Sequence, residues 1–160
     1  MQAKKGQPFP ARRVALDVLY QVEQKGAYAN LALDQALTRC EENASNNFLV
    51  TELVNGTIRM RKHLDWVLNL FLSKKIEAQN PWVREILRMS VYQLLFMDNI
   101  PDYAVVSEAV ELTRCKAGGR LPAVVNGVLR NIIRNRAGIE YPDRQQEPIK
   151  YLSVYYSHPE

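Results

Sequence analysis

Cysteine is scarce in this chain. Cys40 and Cys115 are the only two among 160 residues, and neither has a neighbouring His or Cys. That excludes a disulfide framework and a zinc site of the usual spacing, and both thiols are expected to be reduced, partly buried helix residues. Histidine is equally rare: with only His63 and His158, no His-based metal site or catalytic triad can be assembled, and no metal is expected. His63 is expected to cap or solvate a helix junction. No apolar run has the length needed to cross a bilayer, and the opening Met1-Gln2-Ala3-Lys4-Lys5-Gly6 has no signal-type apolar stretch behind it. A cytoplasmic protein with no membrane partner is expected. Strand-type alternation of useful length and internal repeats are also missing, which excludes a sheet-based fold and a solenoid.

What is present is the balance of a soluble globular protein, 47% hydrophobic and 24% charged, in a length that suits one ordinary domain. The net charge is only +4, but the charges are segregated. Three stretches contain no acid: Met1 to Leu16, Leu53 to Leu64 and Lys116 to Ile139. They carry Lys4, Lys5, Arg12 and Arg13, then Arg59, Arg61 and Lys62, then Lys116, Arg120, Arg130, Arg134 and Arg136, which makes 12 of the 21 basic residues. The remaining nine face all 17 acids, so the molecule is expected to be bipolar. A polyanion-binding surface needs this segregation, because neutralising phosphates releases condensed counterions.

Helical periodicity runs through most of the chain. Val14, Val18, Leu19 and Val22 predict a helix over Ala11 to Gln24, ended by Gly26. A second is expected over Leu31 to Cys40 with Asn30 as its cap, closed by Asn43 to Asn47. Phe48 to Met60 follows, with Gly56 at a position where another backbone can approach closely, and then a helix through Leu64, Val67, Leu68 and Phe71. Pro81 opens the clearest pattern, Val83, Ile86, Leu87, Ser90, Val91, Leu94 and Leu95 on one face. A sixth helix spans about Val105 to Arg114 and stops at Gly118-Gly119. Pro122 opens a seventh, whose apolar stripe runs through Val124, Val125, Val128, Leu129, Ile132 and Ile133, with Arg130 and Arg134 on the opposite side. The fold class is therefore all-α, a compact bundle of about seven helices. Residues 1–136 form the domain. Residues 137–160 read as a Gly, Pro and Gln-rich linker followed by an aromatic segment, Tyr151 to Tyr156, that lacks its packing partner.

The residues give catalysis no support. Cys115 has the cationic neighbours Arg114 and Lys116 but no adjacent base, and it reads as an ordinary helix-end cysteine. Glu108 and Glu111 lie i, i+3 on the sixth helix and read as a solvated face near its first turns. The basic clusters are the candidate site: Lys4 and Lys5 as an arm, with Arg12, Arg13, Arg59, Arg61, Lys62, Arg130, Arg134 and Arg136 as RNA-phosphate contacts. Arg59, Arg61 and Lys62 also suit a helix C-terminus, whereas Arg130 and Arg134 stand mid-helix. Tyr20 and Tyr28 are the candidates for base stacking.

Three segments carry a specific resemblance. Ala11-Arg12-Arg13-Val14-Ala15-Leu16-Asp17-Val18-Leu19-Tyr20 resembles the opening helix of the NusB family, and Glu108-Ala109-Val110-Glu111-Leu112 and Val125-Asn126-Gly127-Val128-Leu129-Arg130 resemble its two downstream signatures. Gly56-Thr57-Ile58-Arg59, Leu64-Asp65, Tyr92-Gln93-Leu94-Leu95 and the repeated arginines from Arg130 to Arg136 are similar to the branch fused to small-subunit (16S) rRNA cytosine-5 methyltransferases of the RsmB (Sun) type. Tyr156-Ser157-His158-Pro159-Glu160 is similar to the segment that leads those enzymes into their catalytic region. Ser107 stands where many relatives carry Asn.

The resemblance implies two packed helical subbundles and binding to 16S rRNA by a monomer, in cis with a methyltransferase domain at its C-terminal side. It supplies no catalytic residue and no cofactor site to this chain: S-adenosylmethionine and the nucleophilic cysteine belong to the full-length enzyme. A free-standing antitermination factor of the NusB type and a protein-interaction adaptor are the alternatives.

Overall fold

Helix boundaries follow the chain's prolines and glycines. The computed structural model of the protein describes residues 11–39 and 44–156, and among them are eight α-helices, two 3-10 turns and no strand. The helices are α1 (Ala11–Lys25), α2 (Ala29–Arg39), α3 (Ala44–Arg59), α4 (Arg61–Phe71), α5 (Pro81–Phe96), α6 (Asp102–Lys116), α7 (Leu121–Asn135) and α8 (Pro148–Tyr156). Gly26 ends α1 with a φ of 65°, in the left-handed region that a Cβ disfavours. Pro81 is the first residue of α5, and Asn80 just before it caps the helix, its Oδ1 accepting from the N–H groups of Trp82 (2.9 Å) and Val83 (3.3 Å).

Two expected boundaries are corrected. Asn30 lies inside α2 rather than at its cap, and Asn46 and Asn47 belong to α3, which starts four residues before Phe48. Polar residues in a first turn cost a helix little, and the apolar spacing that governs Val50, Leu53 and Val54, all fully buried, overrides them.

The chain divides into two compact units, one up to Asn55 and the other from Gly56 onward, with the division inside α3. In the first, α1 packs on α2, burying Ala15, Leu16, Val18 and Leu19 with Ala32 and Leu33. In the second, α5 is the hub: it packs against α4, α6 and α7. Its apolar face was legible, but the rest of the helix is enclosed as well. Every residue from Glu85 to Leu94 is buried, including Glu85 and Arg88.

Those two charges survive burial because they are paired. The Arg88 guanidinium donates from Nε and Nη2 to the two Asp65 carboxylate oxygens (2.7 and 2.9 Å) and from Nη1 to Glu85 Oε2 (3.0 Å). A forked pair on α4 thus pins α5 in register.

Gly56 is the second register device. A Cβ built there would fall inside the Tyr92 ring, so the close approach expected at this glycine is made by a side chain of α5, not by a backbone. Tyr92 is 2% exposed and stacks on Phe96, with ring centroids 5.5 Å apart.

The segment after α7 does not stand apart as a linker with an unmatched aromatic end. It passes through the 3-10 turn Arg136–Gly138, buries Pro142, and forms α8, which packs on α4 with Val154 only 2% exposed. The packing partner expected to be missing is α4. Its face is supplied by His63 and Trp66, which mid-chain periodicity did not single out. Tyr141 stacks on Trp66 (centroids 5.2 Å) and its hydroxyl lies 3.2 Å from His63 Nε2.

Candidate nucleic-acid interface

The cations proposed from the sequence fall into both units. Lys4 and Lys5 lie outside the described residues. On α1 of the first unit, Arg13 is exposed on the side away from Ala11, Ala15, Val18 and Leu19, whereas Arg12 is half-buried, one turn from Ala15 and Leu16. Tyr28 is 76% exposed, ahead of α2, while Tyr20 is half-buried on α1.

In the second unit, Arg59, Arg61 and Lys62 are exposed around the junction of α3 and α4. Arg59 occupies the last turn of α3, where a cation also suits the helix dipole. Arg61 lies 3.9 Å from Asp65 with half of its side chain in solvent, a loose pair beside the tight one that Asp65 makes to Arg88.

Helix α7 separates its two faces as its sequence predicts. Val125, Leu129 and Ile132 are fully buried, whereas Arg130 and Arg134 are exposed. Val124, expected on the apolar stripe, is 44% exposed, so the buried stripe is narrower than the six-residue pattern. Arg130 Nε donates to Asn126 Oδ1 one turn earlier (3.0 Å), which extends the guanidinium along the helix. Arg134 borders a shallow depression with Leu70, Phe71 and Glu140.

Arg136 is placed differently from its neighbours. It sits half-buried at the end of α7, where its guanidinium donates to both Asp102 oxygens (3.0 and 2.7 Å) and to the Leu94 carbonyl (3.2 Å). These bonds tie the end of α7 to the start of α6 and the end of α5, an anchoring role that a run of arginines in sequence does not reveal.

The residues considered for chemistry are unremarkable in place. Cys40 lies outside the described residues. Cys115 is exposed rather than partly buried, with its Sγ 3.9 Å from Glu111 Oε1, and Glu111 is ion-paired with Arg114. Lys116 rests over the Trp82 ring, 4.4 Å from its centroid. His63 does not solvate a junction: it is 6% exposed among Tyr141, Phe96 and α8. Burial pushes its pKa below the usual 6.5, and a hydrogen bond to the Val154 backbone opposes that shift in part. Among the described residues no group of three or more potential ligands is placed to hold a metal. The paired glycines, Gly118-Gly119, join two helices rather than a strand and a helix. No helix among them is long and apolar enough to cross a membrane.

Comparison with known proteins bears on these features. The model of the NusB family matches residues 10–134. A probable ribosomal RNA small subunit methyltransferase B of Bacillus subtilis is 38% identical over 149 residues, covering 93% of this chain but 33% of its own length. The chain spans about a third of the length of the methyltransferase relatives it matches. A transcription antitermination protein NusB of Nocardioides sp. is 35% identical over 130 residues, covering 81% of this chain and 95% of its own. Among solved structures, a chain in the complex of antitermination factors NusB and NusE with double-stranded RNA superposes with a TM-score of 0.72 at 25% identity, over 78% of this chain and 94% of that one.

Proposed function

The chain belongs to the NusB family, and from that membership we propose that it is a non-catalytic RNA-binding domain that positions small-subunit rRNA for a cytosine-5 methyltransferase domain of the same polypeptide. The observation that carries RNA binding is α7, where an acid-free stretch buries Val125, Leu129 and Ile132 and presents Arg130 and Arg134 to solvent. Exposed cations in an acid-free stretch of sequence attract a polyanion, and they fix its position rather than read its sequence. Within the second unit Arg59, Arg61 and Lys62 add phosphate contacts, and within the first unit Arg13 does so, with Arg12 next to it in sequence. Arg136 is assigned to the fold instead, because its forked pair with Asp102 occupies the guanidinium.

The methyltransferase branch is favoured by the reach of the likeness. Covering 93% of a 160-residue chain leaves only about 11 residues unmatched, so the likeness to the Bacillus subtilis protein extends past residue 134 and through Tyr141. Tyr141 is the residue that clasps His63 and Trp66 under α8. In this proposal S-adenosylmethionine and the methyl transfer belong to the other domain, and the present chain acts as one copy. A free-standing antitermination factor is the second proposal, favoured by the 95% coverage of the Nocardioides protein.

The deciding experiment is RNA binding by the chain across a salt series with a 16S rRNA fragment. Binding through several phosphates weakens steeply, the logarithm of affinity falling by about 0.7–0.9 per contact for each tenfold rise in salt. No binding at low salt, or binding indifferent to salt, refutes the proposal and favours a protein-docking adaptor. The native polypeptide's mass then separates the two branches: one near 18.4 kDa supports the antitermination factor, and one about three times larger the methyltransferase.

A further inference from the structure

Beside the turn that joins α6 to α7 lies a cavity of about 520 Å³ that is shallow and open to solvent. It is lined by Val110 and Arg114 of α6, by Pro122, Ala123 and Asn126 of α7, and by the Gly118-Gly119 backbone. Both glycines have left-handed φ values, 68° and 62°. A Cβ on Gly119 would meet nothing within 4 Å, so this glycine serves the turn and not close packing, and its place in the lining is bare backbone.

The lining combines three kinds of group. Val110, Pro122 and Ala123 offer apolar surface to a flat ring. Arg114 offers a planar guanidinium, held by its ion pair with Glu111. Asn126 offers an amide whose orientation is set by the bond that its Oδ1 accepts from Arg130 Nε (3.0 Å), leaving the Nδ2 hydrogens to donate. Arg130 itself is exposed next to the cavity, and no acid occurs from Lys116 to Ile139. Apolar surface with a stacking guanidinium, an amide for a ring edge and a neighbouring cation is the chemistry that recognises an unstacked nucleotide.

We propose that this cavity takes one unpaired nucleotide of a bound RNA, with its base against Val110, Pro122 and Ala123 and stacked by Arg114, its edge on the Asn126 amide, and its phosphate on Arg130. The assignment rests on the RNA-binding role proposed above and adds to it a preference for single strands, which phosphate contacts alone do not provide. Arg120 and Arg134, exposed on either side along the chain, meet the flanking phosphates and distinguish a polymer from a free nucleotide.

The test uses the full chain and three probes: single-stranded homopolymer RNAs of about twelve nucleotides, a duplex RNA of the same length, and free nucleoside monophosphates. Ala123→Leu fills the cavity without altering charge, at an exposed helical position where Leu is well tolerated. It is expected to weaken single-strand binding by about tenfold and leave duplex binding unchanged, and Asn126→Ala is expected to reduce the differences among the homopolymers. Arg130→Gln, by contrast, weakens single strand and duplex alike. Unchanged single-strand affinity in Ala123→Leu, equal losses on duplex, or mononucleotides bound as tightly as the homopolymers would each overturn the assignment while leaving RNA binding intact. If the unmodified chain binds neither RNA, both the cavity assignment and the RNA-binding role fall.

Discussion

Replacing Arg88 with Met removes the hub-helix guanidinium that holds two carboxylates, Glu85 on the same helix and Asp65 on α4. The Arg88 side chain is 2% exposed, as is that of Glu85, while Asp65 is 15% exposed. Without Arg88, Glu85 stays in the interior without its bond at 3.0 Å, and Asp65 loses both forked bonds. Breaking a buried pair from one side costs about 3–5 kcal/mol, because desolvation of the remaining charge is no longer offset. For a chain of this size that corresponds to a fall in Tm of roughly 6–20 °C. The double variant Arg88→Met/Glu85→Leu removes both deeply buried charges and leaves Asp65 near Arg61 and solvent, so it is expected to recover more than half of the loss. Urea and thermal unfolding followed by circular dichroism measure both. A loss below about 1 kcal/mol in the single variant, or a double variant no more stable than the single, would show that the pair does not hold α5 as argued. Arg61→Gln is the internal contrast: its pair with Asp65 is long and half in solvent, so stability should change by less than about 0.5 kcal/mol while RNA affinity falls.

Gly56→Ala drives a methyl group into the Tyr92 ring and should destabilise by about 1–3 kcal/mol, whereas Gly127→Ala, in open space inside α7, should stabilise by about 0.5–1 kcal/mol; paired denaturation curves decide. Arg130→Gln/Arg134→Gln should leave the midpoint of unfolding within about 0.5 kcal/mol and make the salt dependence of RNA binding shallower by roughly one counterion per lost contact, while unchanged affinity and slope would remove the pair from the interface. Arg136→Gln is expected to do the reverse, with about 1 kcal/mol of stability lost through Asp102 and little change in the salt slope. His63 has a folded pKa below its unfolded 6.5, so the unfolded chain binds the extra proton first on acidification. The stability from neutral His63 is therefore complete above about 6.5 and declines as pH falls from there to the lowered folded value; a His63→Phe variant should flatten that part of the stability profile.

Much of this molecule was legible in one dimension. Helix existence followed from apolar spacing, and helix ends from Pro81, Pro122, Gly26 and Gly118-Gly119, because both signals act within a few residues of the chain. Charge segregation was legible for the same reason. The split of α7 into a buried stripe and an arginine face needs only the period of a helix and the acid-free composition around it. The likeness of Ala11 to Tyr20 and of Val125 to Arg130 to known signatures points to the family from sequence alone.

Only tertiary structure decided which polar and aromatic residues are internal. Arg88 and Glu85 lie on what periodicity marks as the outer face of α5, yet other helices cover that face, and Asp65, 23 positions away, supplies the charge that makes burial tolerable. Arg136 looks in sequence like another member of the Arg130 and Arg134 series, and Asp102, 34 positions away, makes it an anchor. The Tyr141 contact with His63 spans 78 positions, which is why the chain after α7 reads as a loose end until α4 is folded beneath it. Local rules determine how each segment curls and which side of it is apolar. Whether a charged or aromatic side chain meets solvent or a partner depends on what distant segment arrives there, and that information resides in the packing alone.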